Sequence, residues 1–174
     1  MKIAIIGYSG SGKSTLAAKL GNIYNCPVLY LDRVHFKENW VERDDETAKL
    51  IVKEFMDNND SWVIDGNYTN LLREQRLIEA DMIIFMCFSR MTCLIQAINR
   101  YKTYKGKTRE SMADNCSEKM DFEFIKWILF GGRSKEKKKQ YAETIYKYSQ
   151  KIAILRNKKE TAAFLESIQQ NIEV

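Results

Sequence analysis

Proline is almost absent from this chain: Pro27 is the only one, and no Gly/Ser-rich stretch, internal repeat or low-complexity segment accompanies it. Nothing therefore marks a linker, and one domain over residues 1–174 is expected, with apolar residues enough for a single core. Disorder is expected only at the last few residues. Long apolar runs are missing too. The longest, such as Met82 to Phe88, fall far short of the roughly 20 residues that cross a bilayer. Met1-Lys2 leads into only four apolar residues before the chain turns glycine-rich, without the cleavage site of a signal peptide. The expectation is a cytoplasmic protein with no membrane partner. Histidine occurs once, at His35, which excludes a multi-histidine metal site. The cysteines (Cys26, Cys87, Cys93, Cys116) form no CxxC pair, so neither a metal site nor a disulfide framework is expected. Net charge is +5, and its distribution is informative: twelve basic and six acidic residues fall between Arg100 and Gln140, so this region carries the whole positive excess.

What is present starts at once. The apolar run Ile3-Ala4-Ile5-Ile6 flows into Gly7-Tyr8-Ser9-Gly10-Ser11-Gly12-Lys13-Ser14-Thr15, which carries the spacing Gly, four residues, Gly-Lys-Ser of a complete P-loop. Glycines at positions 7, 10 and 12 let the backbone wrap closely enough for its N–H groups to converge on phosphate oxygens. A helix predicted from about Lys13 to Gly21 adds the partial positive charge of its N-terminus at the same spot. The stretch Gly7, Ser9, Gly10, Ser11, Gly12, Lys13, Ser14 and Thr15 is thus expected to hold ATP, with Lys13 reaching the β- and γ-phosphates and the Ser14 hydroxyl ligating Mg²⁺.

Further strands are predicted at Pro27–Leu31, Trp62–Asp65, Met82–Phe88 and Lys151–Leu155, with helices at about 44–58, from 67–68 to 80, 91–104 and 159–170. Strands alternating with helices imply a five-stranded parallel sheet in a three-layer α/β/α fold, whose ligands bind outside the carboxyl ends of the strands. The P-loop, Asp32 after strand two and Asp65 after strand three should therefore meet on one edge. Asp65 is the candidate Mg²⁺-linked acid, with capping of the following helix as its plain alternative. Between strands four and five lies a basic insertion, about 105–140. It holds Lys105-Gly106-Lys107-Thr108-Arg109, a helical stretch from about Glu118 to Phe130, then Gly131-Gly132-Arg133-Ser134 and the run Lys135 to Lys139. Flanked by glycines and beside a triphosphate site, it is expected to act as a lid. Arg100, Arg109 and Arg133 are its candidate phosphate contacts, because a planar guanidinium binds phosphate oxygens in bidentate fashion. Arg133, behind two glycines, is expected to swing. Lys135 to Lys139 reads by default as a solvated face.

The order of these features resembles the adenylate kinase-like P-loop kinases, chiefly in Trp62-Val63-Ile64-Asp65-Gly66 and in the Arg100 helix preceding a lid. A closer resemblance, across nearly the whole chain, is to bacterial DNA topology modulation proteins, also described as FlaR-related. It is carried by Leu31-Asp32-Arg33-Val34-His35-Phe36, Asn39-Trp40-Val41-Glu42-Arg43, Ser61 through Tyr68, and Phe124-Ile125-Lys126-Trp127-Ile128-Leu129. The kinase resemblance implies that Asp32 faces the acceptor and can orient or deprotonate a hydroxyl, and that Asn157 sits where such folds wrap the adenine base. One departure matters: adenylate kinases follow the Asp-Gly turn with an aromatic, Pro and Arg, whereas this chain has Asn67-Tyr68-Thr69. The acceptor need not be a nucleoside monophosphate. His35, Phe36, Trp40 and Tyr68 are secondary candidates to contact or line its pocket, with a structural or core role as the plainer reading.

Two competing readings remain at this stage. One is a nucleic-acid-associated regulator in which the basic insertion contacts phosphates, although no standard DNA-reading module occurs. The other is a nucleotide switch; guanine-reading switches carry Asn-Lys-x-Asp, and Asn157-Lys158-Lys159-Glu160 lacks the aspartate, so ATP is expected over GTP. Sequence says nothing of oligomeric state.

Overall fold

The computed structural model describes residues 1–172; residues 173–174, on which part of the expected terminal disorder falls, lie outside the described residues. β1 (Lys2–Gly7) forms where Ile3 to Ile6 run apolar without a break, as a parallel strand covered on both faces requires, and all four are inaccessible. α1 (Lys13–Tyr24) follows the glycine-rich loop and buries Leu16, Ala17 and Leu20. Next come β2 (Val28–Tyr30), the short helix α2 (Leu31–His35), a 3-10 turn (Glu38–Trp40) and α3 (Asp45–Asp57). α3 buries Ala48, Val52 and Met56 at four-residue spacing, and the Asp44 side chain caps it by accepting from the Thr47 N–H. β3 (Trp62–Asp65), α4 (Arg73–Glu79), β4 (Met82–Met86) and α5 (Arg90–Tyr104) continue the alternation. An irregular segment leads to α6 (Phe122–Leu129), a second 3-10 turn (Gly131–Arg133), α7 (Lys135–Lys147), β5 (Ile152–Leu155) and α8 (Lys158–Ile172).

All five strands are parallel, in the order β2-β3-β1-β4-β5. Ile5 lies beside Asp65 of β3, and Gly7 beside Met86 of β4, so the loop leaving β1 emerges between two strand ends. From β1 the chain first builds towards β2 and later towards β5. Such a reversal of direction opens a crevice at the carboxyl edge, where ligands of these sheets bind. With helices packed on the sheet, this is the three-layer α/β/α P-loop fold that the element order implied. Among the described residues no helix is long and apolar enough to cross a membrane.

Four boundaries differ from expectation, each for a local reason. β2 stops at Tyr30, so Asp32 stands in the first turn of α2 instead of ending a strand. The helix expected directly after Gly66-Asn67-Tyr68 begins only at Arg73, because the Arg76 side chain holds the preceding turn open. Its Nε, Nη1 and Nη2 donate to the carbonyls of Leu71, Gly66 and Tyr68 at 2.8, 3.3 and 2.7 Å. Arg76 is fully buried; burial pushes its pKa down to about 9, which leaves it a cation at neutral pH. The helix expected from Glu118 starts at Phe122, where Asp121 accepts from the Phe124 N–H. Finally, Lys135 to Lys139 open α7, a helix that charge alone did not reveal; Ser134 caps it and Tyr141 and Thr144 bury its inner face.

Candidate active site

The phosphate loop needs its glycines for reasons the backbone makes explicit. Gly10 has φ 79°, and a Cβ there would lie 2.5 Å from the Cys93 carbonyl oxygen, closer than any side chain tolerates. Gly12 is left-handed at φ 93° and starts α1 without a side-chain cap or an acid in the first turn. The N–H groups of the first turn are thus left without a side-chain partner, an arrangement able to receive an anion. Lys13 Nζ folds back to the Tyr8 carbonyl at 3.3 Å. Ser9 is half-buried, Ser11 is buried with no partner at its hydroxyl among the described residues, and Thr15 is exposed on α1.

Ser14 and Asp65 meet, as expected from the strand order. The Ser14 hydroxyl donates to Asp65 Oδ2 at 2.7 Å, and Oδ1 is buried without a partner among the described residues. Burial pushes the Asp65 carboxyl above its ordinary pKa; Lys13 and the Ser14 hydroxyl pull it back, and Asp32 pushes it further up. A hydroxyl and a carboxylate with an unsatisfied oxygen, beside a phosphate loop, fit Mg²⁺, which takes few protein oxygens and completes its shell with phosphates and water. Asn67, which sequence reasoning passed over, locks the loop to β1: its Oδ1 accepts from the Gly7 N–H at 2.9 Å and its Nδ2 donates to the Gly7 carbonyl at 2.6 Å. Its place directly after Asp65-Gly66 was the available signal.

Asp32 accepts from the Tyr68 hydroxyl at 2.9 Å. Burial first, and the Asp32 carboxylate second, push the Tyr68 hydroxyl well above its usual pKa, so it stays a donor. From there an aromatic series runs along α2 and the turn after it: His35 lies 4.6 Å from Tyr68 and from Phe36, and Phe36 5.2 Å from Trp40. His35 Nε2 stands 3.7 Å from Glu42. Trp40 has φ 63°, an uncommon conformation for a bulky residue. The insertion holds it there: Trp40 N–H donates to Cys116 Sγ at 3.3 Å and its indole N–H to the Ser117 carbonyl at 3.2 Å.

Arg100, near the end of α5, and Arg109 and Arg133 of the insertion are all engaged by the protein. Glu118, 8% exposed, receives Arg100 Nη2 and Nε at 2.6 and 2.8 Å on one oxygen. Its other oxygen stands 2.6 Å from Arg109 Nε, a close ion pair in which the N–H is not aimed at the oxygen. Burial, then Arg109, lowers the Arg100 pKa, with Glu118 opposing. The fields of Arg109 and Asp32 reach Asp65, and that of Asp32 reaches Arg100, so these groups form one cluster. Glu118 was missed because its role is visible only once two distant arginines converge on it. Arg133 does not stand ready to swing: Nη2 donates to the Phe88 carbonyl at 2.6 Å and the guanidinium lies 3.6 Å from the Tyr8 ring centre. The glycines before it serve packing, since a Cβ on Gly131 would come 2.9 Å from the Trp127 ring, and Trp127 Nε1 donates to Ser9 Oγ at 3.1 Å. Asn157 is exposed and caps α8: Oδ1 accepts from the Glu160 N–H at 2.9 Å while Glu160 reaches back to the Arg156 N–H at 2.7 Å.

No protein-family model matches the chain, and no curated protein matches it, so the narrower resemblance to topology modulation proteins gains no support. Solved structures do match. A shikimate kinase from Acinetobacter baumannii in complex with shikimate is similar at TM-score 0.59 and 13% identity, over 99% of this chain and 92% of that one. A shikimate kinase from Bacteroides thetaiotaomicron gives TM-score 0.54 at 15% identity, over 100% and 99%. Deoxyadenosine kinase from M. mycoides with products dCMP and dCDP bound gives TM-score 0.53 at 15% identity, over 99% of each chain. At such identities the likeness shows the fold alone, that of the P-loop kinases.

Proposed function

We propose that the protein transfers the γ-phosphoryl group of ATP to a small acceptor. The observation that carries this reading is the Ser14–Asp65 contact of 2.7 Å, closing the phosphate loop against the end of β3 with Lys13 and Asp32 acting on the same carboxylate. Phosphoryl transfer asks mainly for positioning and charge. Loop N–H groups and the start of α1 hold the phosphates, and Lys13 swings from the Tyr8 carbonyl to the γ-phosphate. Magnesium, when bound through Ser14 and Asp65, supplies neutralisation of phosphate charge. Asp32, held by Tyr68, orients a hydroxyl acceptor and takes its proton as the acceptor oxygen bonds to phosphorus and ADP departs; a phosphate acceptor needs no base. Arg100 and Arg109 reach phosphate on exchanging Glu118 for it.

The arginines do not favour a nucleic-acid partner, because Arg109 and Arg133 of the insertion and Arg100 of α5 are turned inward to Ser111, Phe88 and Glu118. An effect on DNA topology, which the resembled proteins' name describes, would arise indirectly through nucleotide turnover. The test is acceptor-dependent ADP release with Mg²⁺, screened over nucleosides, nucleoside monophosphates, sugars and hydroxy acids, with Lys13→Ala as control. Stimulation by one class, lost in the variant, is expected. ATP binding that no acceptor turns into ADP release sinks the proposal.

A further inference from the structure

Beside the first half of the phosphate loop lies a recess of about 40 Å³, walled by Ser9, Asn67, Arg73, Trp127, Lys137 and Tyr141. It shares Gly7 and Ser9 with the loop expected to hold ATP but includes neither Lys13, Ser14 nor Asp65, so it adjoins the donor site on the side away from the magnesium ligands. Its lining contains two cations and no acid. In volume it has room for roughly two or three water-sized groups. That accommodates one carboxylate or phosphate.

Arg73 is the informative wall. It opens α4, half-buried, and its one hydrogen bond is from Nη2 to the Thr144 hydroxyl at 2.8 Å. Among the described residues no carboxylate pairs with it, and the adjacent Glu74 is taken by Lys147. Desolvation accordingly lowers the guanidinium pKa. A guanidinium offers five N–H groups, and withdrawing it from water without a counter-charge is costly. Lys137, from the first turn of α7, brings a second cation to the same space. Two other polar walls are already committed, Asn67 to both main-chain groups of Gly7 and the Trp127 indole to Ser9, while Gln140 adds a neutral amide to the lining. The recess is therefore electropositive, with no acid of its own to balance its two cations. Asn67, in its wall, directly precedes the Tyr68 that holds Asp32, so recess and presumed base border one turn.

We propose that the acceptor carries an anionic group, a carboxylate or a phosphate, seated in this recess by Arg73 and Lys137. The inference rests on the phosphotransferase reading for the word acceptor, but the anion site is tested without turnover. Protein saturated with MgADP, which fills the phosphate loop, is titrated calorimetrically with malonate, inorganic phosphate and neutral malonamide. One saturable anion site is expected, weakened roughly tenfold or more in Lys137→Gln and in Arg73→Gln, with malonamide silent. The tighter of the two anions tells carboxylate from phosphate. Lys137→Gln keeps the helix cap, which uses the main-chain N–H of that residue, so it reports even where Arg73→Gln unfolds. Absence of anion binding to the MgADP form, or equal binding by wild type and Lys137→Gln, overturns the proposal. Loss of acceptor-dependent ADP release with the anion site intact would instead overturn the phosphotransferase reading alone.

Discussion

The phosphate loop and the basic insertion are both rich in groups that bind phosphate, yet they are built in opposite ways. In the loop the binding groups are main-chain N–H donors placed by left-handed glycines and by an uncapped helix start, and Lys13 touches only a carbonyl. At the insertion the arginines are side-chain cations that already have partners: Arg100, near the end of α5, and Arg109 share Glu118, and Arg133 is tied to Phe88 and Tyr8. A main-chain donor in a tight loop cannot be neutralised by a residue elsewhere. A side chain can. These arginines therefore report structure first and ligand binding second, whereas the loop's spacing carries the expectation of a ligand directly.

The largest effect should fall on the loop. Lys13→Ala is expected to lower acceptor-dependent ADP release by at least about 10²-fold, the scale of removing one preorganised charge contact from a transition state. Its melting temperature should fall modestly, because among the described residues the side chain makes one hydrogen bond, to the Tyr8 carbonyl, while its charge offsets part of the burial cost of the Asp65 carboxylate. Turnover within a few-fold of wild type would mean that the two regions do not divide the work as stated.

Asp65→Asn separates activity from stability. The folded carboxyl is held above the unfolded value of 3.8 chiefly by burial, so the folded state binds more protons as pH rises through that window. Ionised Asp65 thus costs stability at neutral pH and costs nothing at pH below 3.8. The amide variant should melt above wild type at pH 7, the gap closing as the solution is acidified, while Mg²⁺-dependent turnover falls. A lower melting point at pH 7 would show that Lys13 and Ser14 outweigh desolvation.

For the insertion the order reverses, stability before catalysis. Glu118→Gln leaves Arg100 and Arg109 facing each other without their shared acid, and breaking a buried pair costs about 3 kcal/mol, or roughly 6–12 °C in a chain of this size. If the arginines bind the triphosphate, MgATP should raise the melting point of the variant more than that of wild type. An unchanged melting point would make the insertion's cations as unencumbered as the loop's N–H groups, and the contrast would dissolve.

Legibility followed the same division. The five parallel strands, the loop and the meeting of Asp65 with the loop on one edge could be read from spacing, because local apolar runs and glycines determine them. The late start of α4 could not, since it depends on the Arg76 side chain reaching three carbonyls, nor could α7, whose basic first turn hides a buried Tyr141 and Thr144. Arg133 was misjudged for the same reason: two preceding glycines suggest a hinge until Trp127 is seen packed on them.

Asn157 offers the smallest effect and tests whether an expected ligand contact survives the finding of a structural partner. Its side chain already accepts from the Glu160 N–H and donates to Glu160 Oε1, which completes a reciprocal cap at the start of α8. Capping alone makes Asn157→Ala cost about 1 kcal/mol of stability. It leaves ATP affinity unchanged, because a side chain engaged at both polar atoms has no group to offer adenine. Calorimetric titration with MgATP beside a thermal melt separates the two roles. A several-fold loss of ATP affinity in Asn157→Ala would return this residue to the binding site and show that a satisfied side chain, here as in the arginines around Glu118, can still exchange its partner for a ligand.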